Sequence, residues 1–268
     1  MNLHWDPAGP ARGRVALLHG MMSTAATWWR IGPALAGMGW TVDALDLPGH
    51  GDWPRPTGPL DLDRLVEGVT GRLGGPVDLL VGHSLGGIVA AALAGQDPGA
   101  ARAVVLEDPP GRMGDGAAEA LAAGVETDAR LVRDDRERLV RREREANPTW
   151  ADEDVQHSVD GIAAADASAV AAGLRGHLVF DLTALVAAVP VPLLVLAGRV
   201  GDGFLEGRAG ALQGPDREAV RVAVGPERFV AFDGGHCLHR DLPGRWLAEV
   251  GGFAEAVLPR GQGTASGS

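Results

Sequence analysis

The chain of 268 residues is 46% apolar and 22% charged, a globular composition that excludes a mainly disordered or fibrous state; at this length one α/β core with an elaboration is expected. Acidic side chains outnumber basic ones 35 to 24 for a net charge of −11, every base is an arginine, and the basic face that holds a phosphate backbone is not supplied, so no nucleic-acid partner is expected. Cys237 is the only cysteine, which excludes an intrachain disulfide, and no Cys/His set has zinc-ligand spacing, so neither metal nor cofactor is expected.

Residues 1–14 carry Asp6, two prolines and two glycines where a signal peptide would have its apolar core. Short apolar runs of strand type follow at 15–18, 41–45, 77–81, 103–106, 193–197 and 229–232, with helical stretches at 27–38, 60–73, 85–96, 182–189 and 244–257. Continuously apolar strands alternating with helices predict a doubly wound, mostly parallel α/β sheet. Residues 109–190 break the rhythm: they hold no convincing strand, but helical runs at 117–123, 128–146 and 152–174. An insertion of this kind predicts a helical cap over the carboxyl edge of the sheet, where such sheets bind ligands. The expected division is a core of 1–108 and 191–258, a cap of 109–190, and a disordered Gly/Ser-rich tail of 259–268. The longest apolar run, 184–198, is broken by Pro190 and Pro192 and is too short to span a bilayer, so a cytoplasmic protein without membrane contact is expected.

The strongest chemical signal is Gly82-His83-Ser84-Leu85-Gly86-Gly87, placed between the predicted strand 77–81 and the helix opening at Leu85. A strand–turn–helix of this pattern forces the serine into a strained backbone conformation, projects its hydroxyl above the sheet edge, and turns the Leu85 N–H toward the same spot. A serine nucleophile needs a base, and His236, in the loop between the last strand and the last helix, is the candidate. A third element, Leu18-His19-Gly20-Met21-Met22, leaves the first long strand; Met21 and Leu85 are the expected backbone donors to an oxyanion. His19 and His50 are read as braces of Gly-flanked loops, His83 as packing beside the serine, and His239 as bonded to a nearby carboxylate.

With His19-Gly20, Asp46-Leu47-Pro48-Gly49-His50-Gly51, Gly82-His83-Ser84-Leu85-Gly86-Gly87 and Gly235-His236 in this order, the chain resembles the α/β-hydrolase superfamily, specifically its capped serine hydrolases. The resemblance implies an eight-stranded, mostly parallel sheet and a Ser–acid–His triad, and the serine at the turn separates the chain from relatives with aspartate there. It also frames two positions for the acid. Asp202, in Gly198-Arg199-Val200-Gly201-Asp202, follows the strand after the cap but lies one residue beyond the usual register; Asp108, 24 residues after Ser84, precedes two stiffening prolines. Glu107 is a third alternative.

Met21, Met22, Trp28, Trp29, Trp53, Leu85 and Trp150 are the expected pocket residues, since seven tryptophans without a tyrosine suggest an apolar pocket. The first functional expectation is a cofactor-free serine hydrolase cleaving an ester or lactone of a small, largely apolar molecule. Others are a lyase, cyclase or acyl-transfer enzyme of small-molecule biosynthesis on the same scaffold, or a non-catalytic ligand receptor. The expected partners are a small-molecule substrate and, at most, a second copy of the chain.

Overall fold

The apolar runs assemble into a single sheet in a computed structural model that describes residues 2–112, 115–204 and 208–258. Its strands are β1 (Leu3–Trp5), β2 (Arg14–Leu18), β3 (Thr41–Leu45), β4 (Val77–His83), β5 (Ala101–Glu107), β6 (Leu193–Ala197) and β7 (Phe229–Ala231), in the order β1-β3-β2-β4-β5-β6-β7. Only β1 runs antiparallel, against β3; the other pairs are parallel. The described residues thus hold seven strands, one fewer than the eight expected. The edge strand β1 has no sequence signature of its own: it is three residues long with one exposed position.

The helices are α1 (Ile31–Gly37), α2 (Leu62–Leu73), α3 (Leu85–Gln96), α4 (Asp115–Asp134), α5 (Arg136–Ala146), α6 (Asp152–Ala164), α7 (Ala167–Leu174), α8 (Leu182–Ala188), α9 (Gly214–Val224), α10 (Leu238–Asp241) and α11 (Pro243–Val257). Alternation along β2 shows how they are layered: Ala16 and Leu18 pack with residues of α2, α3 and α8 on one face, Val15 and Leu17 with α1 and α11 on the other. Central strands therefore need apolar side chains at every position, which is why they read as unbroken runs. Helix α3 is buried from Leu85 to Ala94, so it is apolar all round rather than amphipathic. Helix α2 starts at Leu62 and not at 60 because Asp61 caps it, accepting from the Arg64 N–H at 2.8 Å. The single helix expected over 27–38 is divided, with a 3-10 turn at Ala25–Trp28 ahead of α1.

Among the described residues between β5 and β6 the regular elements are helices only, α4 to α8. Helix α8 packs on α3 and α9, whereas α4 to α7 pack on one another, partly through Val132, Leu139, Val159 and Ile162. No helix among the described residues is long and apolar enough to cross a membrane. The expected tail at 259–268 lies outside the described residues.

Candidate active site

The carboxyl ends of β2 and β4 and the loops after β6 and β7 converge on one cavity of about 660 Å³, walled on the far side by α4, α5 and α6. Among the described residues only Met22, Ser84 and Asp108 combine a side chain with a left-handed backbone, at φ 57°, 53° and 43°. They follow β2, β4 and β5 at the carboxyl edge of the sheet, and strain of this kind persists only where the surroundings over-determine it.

At Ser84 the sequence explains the strain. The chain reverses between β4 and α3 so tightly that a Cβ on Gly82 would collide with the Gly86 carbonyl, and one on Gly86 would lie 2.5 Å from the Leu18 carbonyl oxygen. Glycine at both positions lets the turn close, and the Ser84 N–H is tied to the Glu107 carbonyl at 2.8 Å. Ser84 lines the cavity at the N-terminus of α3, where backbone N–H groups and the helix dipole favour negative charge.

The loop after β2 lies against this turn: a Cβ on Gly20 would sit 2.7 Å from His83 Nδ1 and 3.2 Å from Ser84 Cβ. Met21 and Met22 both line the cavity. The Met22 N–H is spent on His50 Nε2 at 3.1 Å, and His50 Nδ1 donates to the Pro48 carbonyl at 3.0 Å. His19 Nδ1 donates to the Gly20 carbonyl at 2.7 Å while its Nε2 accepts from the Leu47 N–H at 3.0 Å. Both rings are buried and braced as neutral imidazoles; desolvation pulls His19 well below its ordinary value and His50 down to about 4.

His236 lines the same cavity as Ser84, and its Nδ1 bonds Asp108 Oδ2 at 2.7 Å. Asp108 is fully buried and also accepts from the Gly198 N–H at 2.9 Å and the Ala211 N–H at 2.6 Å. The loop that carries Asp202 therefore reaches the site through its backbone: Gly198 holds Asp108, whereas the Asp202 side chain is exposed. Of the two carboxylates left open by the sequence, Asp108 lies on His236 and Asp202 does not. Two further contacts fix the His236 loop: His83 Nε2 donates to the His236 carbonyl at 3.1 Å, and the Phe204 ring meets the His236 ring edge-on at 4.9 Å.

Glu107, the third alternative, is occupied elsewhere. Its Oε1 accepts from His239 N–H at 3.0 Å and His239 Nδ1 at 2.7 Å, and its Oε2 from Trp246 Nε1 at 2.9 Å. His239 Nε2 in turn bonds Thr27 Oγ1 at 2.7 Å. Desolvation lowers His239 well below its ordinary value and raises Glu107.

The expected pocket residues divide. Met21, Met22 and Trp150 line the cavity; Trp28, Trp29 and Trp53 do not. Trp28 is fully buried, stacked on His239 at 4.3 Å and near Trp246 at 5.9 Å. Trp29 donates to Asp154 at 2.8 Å, and Trp53 donates to the Asp46 carbonyl at 2.6 Å under the Arg72 guanidinium. An indole is large enough to be needed as core, so proximity in sequence to the loop after β2 is a poor guide. Leu85 buries its side chain in the core and leaves only its backbone for the site. Sequence reasoning missed the α4 wall, Phe204 and Arg240. No cluster of three or more metal-ligating side chains occurs among the described residues.

The sequence profile of the Alpha/beta hydrolase family matches residues 15–250. The chain is 38% identical over 93 residues to the pimeloyl-[acyl-carrier protein] methyl ester esterase of Neisseria meningitidis, a match covering 35% of each. It is 38% identical over 109 residues to the lipase LipV of Mycobacterium tuberculosis, covering 39% of this chain and 40% of that protein. The match thus spans well under half the length of these curated relatives. Among solved structures, the enol-lactonase from Burkholderia xenovorans LB400 shares the fold, with a TM-score of 0.70, 20% identity, and coverage of 94% of this chain and 95% of that one.

Proposed function

Because the chain belongs to the alpha/beta hydrolase family, we propose that it is a serine hydrolase that cleaves a carboxylic ester or lactone of a small molecule through an acyl-enzyme on Ser84. The observation that carries this reading is Ser84, strained at φ 53°, lining one cavity with His236, whose Nδ1 is bonded to the buried Asp108 at 2.7 Å. In this mechanism Ser84 Oγ attacks the carbonyl carbon while His236 Nε2 takes its proton. Asp108 keeps the proton on Nδ1 and stabilises the imidazolium. The N–H groups of Met21 and Leu85 hold the oxyanion, Met22 being unavailable because its N–H is bonded to His50. His236 then protonates the leaving oxygen, and a water attacks the acyl-enzyme by the same route in reverse.

Helices α4 to α7, within residues 109–190, act as the cap that screens this chemistry from bulk water and shapes the substrate's space. The rival nucleophile, half-buried Cys237, also lines the cavity, but desolvation pushes its thiol pKa up, away from the thiolate it would need. Relatives named as a methyl ester esterase, a lipase and an enol-lactonase support an ester or lactone as the substrate class.

The test is pre-steady-state release of p-nitrophenol from p-nitrophenyl butyrate, together with mass spectrometry after a fluorophosphonate probe. A burst of about one equivalent and a single adduct on the peptide holding Ser84, both lost in Ser84→Ala, are expected. An adduct elsewhere, or turnover surviving in Ser84→Ala, would remove this reading.

A further inference from the structure

Arg240 is a cation in an unusual setting. It belongs to α10, four residues after His236, and lines the cavity together with Ser84 and His236 while being only 4% exposed. Its Nε donates to Thr27 Oγ1 at 3.1 Å, and its guanidinium lies 4.5 Å from the centre of the Trp150 ring. Nothing among the described residues pairs with its charge: no carboxylate lies within ion-pair distance, and the two terminal nitrogens have no acceptor.

The acids nearby are spent on other donors. Asp241 accepts from Trp150 Nε1 at 2.7 Å and the Gly235 N–H at 2.6 Å. Glu107 holds His239 and Trp246. Arg142, the other arginine of the cavity, is paired with two carboxylates, Asp128 at 2.6 Å and Glu143 at 3.2 Å, and has no charge to spare. A buried guanidinium without a partner costs free energy that a ligand anion would recover, and its planar pair of terminal nitrogens matches a carboxylate. Trp150 against the guanidinium and Thr27 on Nε fix the orientation of that fork.

We propose that Arg240 is the binding site for a carboxylate carried by the substrate, so that the enzyme acts on esters or lactones bearing a free acid group. The identification of the scissile bond rests on the serine-hydrolase reading; the anion site itself does not. Asp128 and Glu143 outnumber Arg142, so the rest of the charged lining keeps an excess of one negative charge, which favours a singly charged group at Arg240 over a phosphate dianion.

The test compares monomethyl adipate with dimethyl adipate, methanol release being followed for each. The wild type should favour the monoanion in kcat/KM, and Arg240→Gln should lower the ratio of the two kcat/KM values by about thirtyfold, the equivalent of ~2 kcal/mol for a hydrogen-bonded charge. Arg240→Lys should recover part of that ratio. A wild type that prefers the diester, or a ratio unmoved by Arg240→Gln, overturns the proposal. Binding separates this from failure of the hydrolase reading: adipate should raise the melting temperature of the wild type where adipamide does not, whether or not any ester is cleaved. Equal effects of adipate and adipamide on the wild type would overturn the anion site without recourse to a variant.

Discussion

Two carboxylate–histidine pairs sit side by side at the end of β5. Asp108 and Glu107 are consecutive, His236 and His239 are three residues apart, and each pair is joined through Nδ1 at 2.7 Å. They differ in what lies at the far nitrogen. His239 Nε2 is closed off by Thr27 Oγ1 at 2.7 Å, inside a core with Trp28 and Trp246, whereas the His236 ring borders the cavity that also holds Ser84. The same two functional groups thus make a structural tie in one place and, in the proposed mechanism, a proton relay in the other. Access to the distal nitrogen, and not the acid–base pair itself, separates them.

Breaking the open pair should have the largest effect. Ser84→Ala and Asp108→Asn are each expected to lower kcat by about 10³-fold or more on p-nitrophenyl butyrate, because the first removes the attacking oxygen and the second the acceptor that fixes the His236 tautomer. Retention of more than about a tenth of the wild-type rate in either variant would detach that residue from the mechanism. Breaking the sealed pair should instead cost stability. In Glu107→Gln an amide N–H must face either the His239 or the Trp246 donor, leaving a buried group unpaired at about 1–3 kcal/mol. Urea unfolding should show that loss while kcat per active site stays within about threefold of wild type. A thousandfold loss of kcat at unchanged stability would reverse the two assignments.

The same contrast bears on what the sequence made legible. The parallel strands stood out because both faces of each are buried, and the turn at Ser84 because its close approach admits only glycine at 82 and 86. The choice between Asp108 and Asp202 was not legible, since it depends on which loop turns its side chains inward. Here the loop after β6 gives backbone N–H groups to Asp108 instead of a carboxylate to His236. Trp28 read as a pocket residue because it follows the loop after β2 by a few positions, yet α1 and α11 enclose it. Arg240 was invisible for a related reason: an arginine in sequence signals surface, and only the fold buries this one beneath Trp150.

Acid should discriminate between neutral, buried histidines and the rest. His19, His50, His83 and His239 all have pKa values lowered by desolvation, His50 to about 4. The unfolded chain protonates these groups near the ordinary histidine value, so below about pH 6.5 it binds protons that the folded state refuses. Their contribution to stability is complete above that pH and is lost as the pH falls toward 4. Glu107 and Asp241, raised by burial, work in the opposite direction at lower pH, so the decline should be steepest in the upper part of the window. Melting temperatures should fall from pH 6.5 to 5.5, and ring nitrogen shifts should report His239 neutral with its proton on Nδ1 at pH 5.5. A protonated His239 there would contradict the sealed-pair assignment.

The smallest effect is expected where the sequence offered its other acid. Asp202 is exposed in a segment with glycine on both sides, while the loop's contribution to the site comes from the Gly198 N–H and, beyond it, the Ala211 N–H. Asp202→Asn changes neither donor and removes one charge from a surface already carrying a large excess of acids, where screening leaves little long-range influence on His236. Its kcat/KM on p-nitrophenyl butyrate should stay within about twofold of wild type, and its pH profile should overlay that of the parent. Asp108→Asn measured alongside supplies the contrast. A loss in Asp202→Asn comparable to that of Asp108→Asn would mean that the 198–211 loop moves to present Asp202 to His236 during turnover, and that the two acids share a role which geometry at rest assigns to one.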